Sequence, residues 1–332
     1  MFSRLCLSAL LALGVLSPLH AATNEGQLAE QQLRHIATYF PGRMAGSPAE
    51  MLNADYLQQQ FQQWGYESNK RDFTAHYHYK SQDGRVSDRS VIATSVIAAR
   101  AGEVPQQIVI LAQADTWLPL SDSDRQKNRG GLTLQGADDN ASGVAVMLEL
   151  AERLQSTPLH YSLRFVALSA SALHGEEDYL ARMKPEEKKN TLLVIKLNDL
   201  LVGNRLWFNS GTNTPEPVAR QTRDRALALA RSAHIPAATL GKAVKNEPAV
   251  ETFDKAGIPL LSVRAANWDK KGHRVHTSNA HFPQGSCQQQ ASCDNLAWID
   301  RWLPGRITHR TRDSVKILLP LIRELANPQP EA

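Results

Sequence analysis

Two adjacent carboxylates set between glycines, in Gly136-Ala137-Asp138-Asp139-Asn140-Ala141-Ser142-Gly143, are the part of this sequence best suited to chemistry. The apolar run that follows, Val144 to Leu150, reads as a helix. Carboxylate oxygens suit divalent cations, and small residues let the backbone pass close by, so such a turn can aim an acid at a metal. Three further polar groups follow short apolar runs: Gln113-Ala114-Asp115, Ser169 to Leu173, and Asn198-Asp199. Histidines supply a second candidate donor set. His273, His276 and His281 form a loose cluster, and His174 lies beside Leu173. Exposed loop histidines are the blander reading of that set. Glu176-Glu177 reads as a solvated face near a helix start. Ser142 and Ser171 are not in a Gly-x-Ser-x-Gly elbow, so a serine hydrolase is disfavoured.

The elements that must position these residues are legible from periodicity. Residues 24 to 64 read as two helices separated by Pro41-Gly42. Phe73, Ala75, Tyr77 and Tyr79 alternate with polar residues, and Ser90 to Ala99 resembles a partner strand, which predicts an antiparallel pair with one wet face. The pattern then changes. Ile108 to Ala112, Leu163 to Leu168, Leu192 to Leu197 and Pro259 to Val263 are continuous apolar runs, as expected of strands buried on both faces. Helical stretches alternate with them at Ala141 to Leu154, Glu176 to Met183 and Pro215 to Ala233, with closing helices at Asp294 to Trp302 and Val315 to Ala326. The expectation is a three-layer α/β fold with a mostly parallel central sheet flanked by helices. Leu118 to Leu132 is polar and Gly-rich and is the expected mobile loop. Ligands bind outside the carboxyl ends of strands in such sheets, so the three strand-end groups and the Asp138 turn should converge on one cleft.

The amino terminus reads as a processing signal. Arg4 precedes the short apolar run Leu5 to Leu16, Pro18 breaks it, and Leu19-His20-Ala21 offers a cleavage site near Ala21 or Ala22. Residues 1–21 are therefore assigned to a signal peptide and 22–332 to a single domain, exported to the periplasm or secreted. No later run is long and apolar enough to span a membrane. Cys6 leaves with the signal, and Cys287 and Cys293 are the two cysteines that remain, which favours a disulfide in an oxidising compartment. A formal charge of +4 with scattered lysines and arginines gives no nucleic-acid footprint.

The Gly136 to Gly143 turn resembles the bridging-aspartate turn of the co-catalytic di-zinc aminopeptidases, metallopeptidase family twenty-eight. Phe40-Pro41-Gly42-Arg43-Met44, Phe208-Asn209-Ser210-Gly211 and Phe253 to Ile258 carry the resemblance further, so that it spans about His35 to Leu325. The resemblance implies the zinc aminopeptidase, phosphorylase/hydrolase-like fold and a set of roles. Asp138 matches the aspartate that bridges two zinc ions, with Asp139 beside it. The family's His-x-Asp falls on Gln113-Ala114-Asp115, so Asp115 remains as the orienting acid and the ligand is replaced. The family's Glu-Glu pair, general base and ligand, falls on Ser171 and Ala172. Its next aspartate falls on Asn198, and Asp199 is expected to point elsewhere because of the one-residue slip. Its last histidine falls on Gln289. Asp138 is the one direct ligand left.

Zinc sites in favourable structural cases draw on roughly 10–16 kcal/mol of binding free energy, which one aspartate cannot approach. Without the metal nothing lowers the pKa of a water. The leading expectation is a non-catalytic pseudo-peptidase that binds a peptide or exported protein, with no cofactor. Its alternative is an active zinc-dependent aminopeptidase releasing N-terminal residues, with zinc as cofactor. A structural or chaperone-like partner of a secreted protein is a third class. Asp138 and Asp115, as unpaired acids, are expected to attract a peptide's ammonium group.

Overall fold

The computed structural model describes residues 24–128, 131–242, 251–269, 273, 279–282 and 290–328. Eight strands form one sheet in the order β1-β2-β4-β3-β5-β8-β6-β7. Their bounds are β1 Glu67–Lys80, β2 Val86–Arg100, β3 Val104–Gln113, β4 Tyr161–Leu168, β5 Thr191–Asn198, β6 Arg205–Ser210, β7 Ala237–Ala238 and β8 Leu260–Ala266. The centre, β4-β3-β5-β8, is parallel. The hairpin β1–β2 joins it antiparallel through β4, and β6 joins antiparallel to β8 at the other side. The mostly parallel α/β architecture read from the periodicity is the one found.

Helices cover both faces. Ile108, Ile110 and Ala112 of β3, Phe165 of β4 and Ile195 and Leu197 of β5 face the larger core. That core is closed by α1 (Gln27–Tyr39), α2 (Pro48–Gln63), α4 (Ser142–Leu154) and α11 (Arg306–Ala326). Val109 and Leu111, Val166 and Leu168, Val194 and Leu260 point the other way, onto Tyr179 of α5 (Gly175–Arg182) and Phe253 of α9 (Glu251–Lys255). Burial on both faces is why these strands read as unbroken apolar runs. The segment expected as a helix over 215–233 is α7 (Glu216–Ala219) and α8 (Arg225–Ser232), joined through a π turn at Arg220–Asp224.

Two segments carry structure that periodicity did not mark. The segment 118–132 contains α3 (Asp122–Lys127), whose amino end is capped by Ser121. The Asp124 carboxylate accepts from Trp117 Nε1 at 2.8 Å and Leu120 N at 3.2 Å, and Tyr79 Oη donates to Asp122 at 2.7 Å. Local acid-to-backbone bonding, which composition hides, gives residues 120–127 a capped helical turn. Strand β6 was not anticipated from periodicity; Leu206, Trp207, Phe208, Asn209 and Ser210 are all buried, so no alternation marks it.

Candidate functional site

The acid turn is built mainly from backbone bonds. Gly136 takes a left-handed φ of 54°, and a Cβ there would lie 2.6 Å from Asp139 O. Gly143 lets α4 approach the end of β5, since a Cβ would meet Leu197 O at 2.5 Å. Asn140 ties the turn to the sheet. Its Nδ2 donates to Gln113 O at 3.2 Å and Leu197 O at 2.9 Å, and its Oδ1 accepts from Gly143 N and Asp199 N. The Asp139-Asn140 peptide is cis. Asp138 is buried, and its Oδ1 accepts from Leu201 N at 2.9 Å and Val202 N at 3.3 Å. Its Oδ2 is buried without a hydrogen-bond partner.

Two residues outside the motif complete this turn. Asp294, fully buried, accepts from Asp138 N at 2.7 Å and Asp139 N at 3.4 Å. Arg43, also fully buried, donates to Ala114 O at 2.9 Å, Gly136 O at 2.9 Å and Gln135 O. No sequence signal marks a role for Arg43 in Phe40 to Met44, and no spacing marks Asp294. Burial pushes Asp138 up to about 7, and the charge of Asp199 pushes the same way. Asp139 and Asp294 are raised well above the usual carboxylate range, by burial and then by neighbouring aspartates. Burial lowers Arg43 to about 10 against the pull of Asp294, Asp115 and Asp139.

The ends of β3 and β5 meet the turn, as Asn140 bonds to Gln113 O, Leu197 O and Asp199 N. Gln113 ends β3, and its Nε2 folds back onto Asp115 O at 3.3 Å. Asp115 is buried and is raised to about 7 by burial, then by the charge of Glu50. Ser171 N approaches Asp115 Oδ1 at 3.5 Å; the Ser171 side chain is half-buried and Ala172 is exposed. Ser171 and Ala172 sit in a short 3-10 turn, Ser171–Leu173, between left-handed Ala170 and His174. Asn198 ends β5, buried, directly opposite Arg264 of β8.

Three corrections concern acids near these positions. Glu176 does not lie on a solvated face: it is 5% exposed and ion-pairs with buried Lys196 of β5. Two buried charges gain from facing each other, and neither partner's strand or helix pattern reveals the other. Asp199 does not turn away. Its φ of 46° and its N–H bond to Asn140 swing its carboxylate back to the turn, where it pairs with Arg264 and raises both Asp138 and Asp139. Asp138 and Asp115 are not solvent-facing acids awaiting an ammonium, since both are buried and both accept backbone N–H groups.

His174 is exposed and 3.5 Å from Glu177, His273 is exposed beside Asp269 at 3.3 Å, and His281 stacks on Trp302 at 3.4 Å between ring centres. His276, Gln289 and Cys287 lie outside the described residues, while Cys293 precedes Asp294. Among the described residues no group of three or more His, Cys, Asp or Glu is arranged to hold a metal ion. At the positions where the resemblance puts ligands, the donor chemistry fits zinc poorly. Gln113 and Asn198 are neutral amides, Ser171 is a weak donor and Ala172 offers none, whereas zinc sites use thiolate, imidazole and carboxylate.

With fold and site described, comparison with known proteins is informative. Residues 95–308 match the model of peptidase family M28. This chain belongs to peptidase family M28. Within reach of the M28 assignment is a relative of known name, the alkaline phosphatase isozyme conversion protein of Escherichia coli (strain K12). It is 52% identical over 334 residues, covering 96% of this chain and 97% of the relative. The M28 fold is matched by BSAP, a zinc aminopeptidase from Bacillus subtilis, at 12% identity with a TM-score of 0.66, covering 93% of this chain and 97% of that one. A Porphyromonas gingivalis glutaminyl cyclase matches at 17% identity with a TM-score of 0.62, covering 91% and 99%. At such identities these two structures speak to the fold alone. No helix among the described residues is long and apolar enough to cross a membrane.

Proposed function

We propose that this M28 chain is an exported, non-catalytic pseudo-peptidase that binds a peptide or an exported protein partner in the cleft at the carboxyl ends of its strands. The observation that carries this reading is the donor set. Where the M28 resemblance puts imidazole and carboxylate, the chain has Gln113, Ser171, Ala172 and Asn198, and Asp138 is the one family ligand retained. The resemblance adds Gln289 to that set. A general base is also wanting, because a serine hydroxyl does not take a proton near neutral pH. These residues do not fit zinc.

Export rests on the signal at residues 1–21, and the rest of the chain is read as a single domain. A disulfide between Cys287 and Cys293 belongs to the same reading, since they are the two cysteines left after the signal is removed. Closing so small a loop stabilises by about 2–3 kcal/mol. Alkylation of unreduced protein, followed by mass measurement, should label neither thiol; two labelled thiols in folded protein would end that part.

The test of function is elemental analysis of protein purified without chelator and dialysed against zinc, paired with turnover of amino-acyl chromogenic substrates. No stoichiometric zinc and no turnover are expected. One or two tightly held zinc ions, with turnover abolished in Asp138→Ala, would instead establish an active aminopeptidase, the reading that the retained Asp138, Asp139 and Asp115 favour.

A further inference from the structure

Strand β1 is an edge of the sheet. Ser81 N donates to Arg85 O at 2.8 Å where the hairpin turns, so odd-numbered residues of β1 bond to β2 and even-numbered ones turn their N–H and C=O outward. Some of these outward groups are covered. Ser68 O accepts from Gln58 Nε2 at 3.0 Å, Asp72 O accepts from Arg182 Nη1 at 3.1 Å, and Lys80 N donates to Leu120 O at 3.0 Å. Between Asp72 and Lys80, nothing among the described residues bonds to the outward backbone groups of Thr74, His76 and His78, and all three residues are exposed. An open row of this kind is a template for another strand.

The same stretch borders the cleft. β2 pairs with β4 from Val96 to Arg100, with Val96 opposite Ala167, so the rest of the hairpin rises past the carboxyl end of β4. There Phe73, Ala75 and Ala93 pack with Ala170 and Leu173, which stand on either side of Ser171 and Ala172, and half-buried Tyr77, Leu118 and Leu120 extend this apolar surface. The open row also has a stop at each end. Ser121 is bridged to Lys80, and Arg182 sits on Asp72 O. The free length, Thr74 to His78, is about 14 Å at the rise of an antiparallel strand. The 14-residue β1 of a second copy would run into both stops, whereas a short extended peptide fits between them.

We propose that the open row at Thr74, His76 and His78 takes up an extended segment of the exported polypeptide partner as an added strand, with apolar side chains at alternate positions on the face of Ala75 and Tyr77. The proposal rests on the peptide-binding reading and adds its means: main-chain hydrogen bonds hold the segment, and its alternate side chains select it.

The test compares wild type, His76→Ala and His76→Pro. The probe is an acetylated, amidated pentapeptide of alternating valine and threonine, titrated to its solubility limit. Binding is read by calorimetry and by slowed amide hydrogen exchange in the segment that carries Thr74 to His78. Proline at residue 76 removes an outward N–H and leaves the bonds to β2 in place, a substitution that edge strands tolerate. Wild type and His76→Ala should bind alike and show the slowed exchange. His76→Pro should bind at least about tenfold more weakly, the effect of losing a main-chain donor. A folded His76→Pro that binds as wild type does overturns the proposal. So does a His76→Ala that loses as much as His76→Pro, since the side chain would then be what is recognised. Failure of wild type to bind the probe or to slow exchange there overturns it too. If His76→Pro yields no folded protein, two altered probes decide on wild type, one N-methylated at its valines and one at its threonines. One edge of an added strand faces β1, so one altered probe should lose binding and the other keep it; both losing it or both keeping it overturns the proposal. A probe that binds wild type and His76→Pro equally is held elsewhere, which defeats the β1 edge and leaves the non-catalytic reading standing. Zinc with turnover in wild type defeats the non-catalytic reading and leaves the edge result unchanged.

Discussion

The cleft has two halves, and they have fared differently. On one side the Asp138-Asp139-Asn140 turn keeps its acids and a dense set of partners: Leu201, Val202, Asp294, Arg43 and the ends of β3 and β5. On the other, the strand-end positions hold Gln113, Ser171, Ala172 and Asn198. Among the described residues their side-chain bonding is slight, a single 3.3 Å contact from Gln113 back to its own turn. The difference suggests a rule. An acid that also holds backbone amides serves the fold whether or not a metal is present. A residue whose chief partner would be the metal has nothing else to keep it. Asp138 anchors the loop that follows β5 through the Leu201 and Val202 amides.

The comparison can be broken most sharply on the anchored half. Arg43→Ala should destabilise by about 3–5 kcal/mol, because it opens a cavity and strands three buried carbonyls beside three carboxylates. Urea unfolding of purified protein measures it; a loss below about 1 kcal/mol would mean that the turn stands without its guanidinium. Asp138→Ala should come next, at about 2–3 kcal/mol. It leaves the Leu201 and Val202 amides without their acceptor, and the relief of burying an acid offsets part of that cost. A neutral effect from this variant would remove the anchor argument for its retention.

A pH series sharpens the same contrast. Glu50 is buried and raised from an ordinary 4.5 to about 7, mainly by burial. Asp115 and Asp138 are likewise raised to about 7. Each binds a proton in the folded state that the unfolded chain has already released. Their stabilising contribution is therefore complete below about pH 4 and is lost as pH rises through about 7. Unfolding free energy should fall across that window. Glu50→Gln should flatten the fall, with its Gly46, Thr94 and Ser169 partners still facing an amide. A slope equal to that of wild type would show that Glu50 is already charged in the fold.

The smallest effects belong to the depleted half. Gln113→Ala and Asn198→Ala should each change stability by less than about 1 kcal/mol, since neither strands a buried partner of the kind that Asp138 holds. Thermal unfolding at fixed pH is sufficient. A loss above about 2 kcal/mol at Gln113 would place it among the anchors.

The sequence by itself determined the layer architecture of this protein. Strands buried on both faces leave unbroken apolar runs, helices leave a 3.6-residue period, and both signals are local. Asp138, Asp139, Asp115 and the amides at Gln113 and Asn198 were legible for the same reason, since each lies at a strand end or at a helix start in the chain itself. The tertiary structure alone decided which charges meet. Asp294 reaches the Asp138 turn from 156 residues away, Arg43 reaches Gly136 from 93, and Arg264 reaches Asp199 from 65. The fate of Glu176 has the same origin, because a helix-start glutamate looks solvated until Lys196 on the neighbouring strand is brought against it. Periodicity reports which face of an element is buried. It carries no information about the identity of the side chain on the far element, and the free energy of a buried charge depends on that identity.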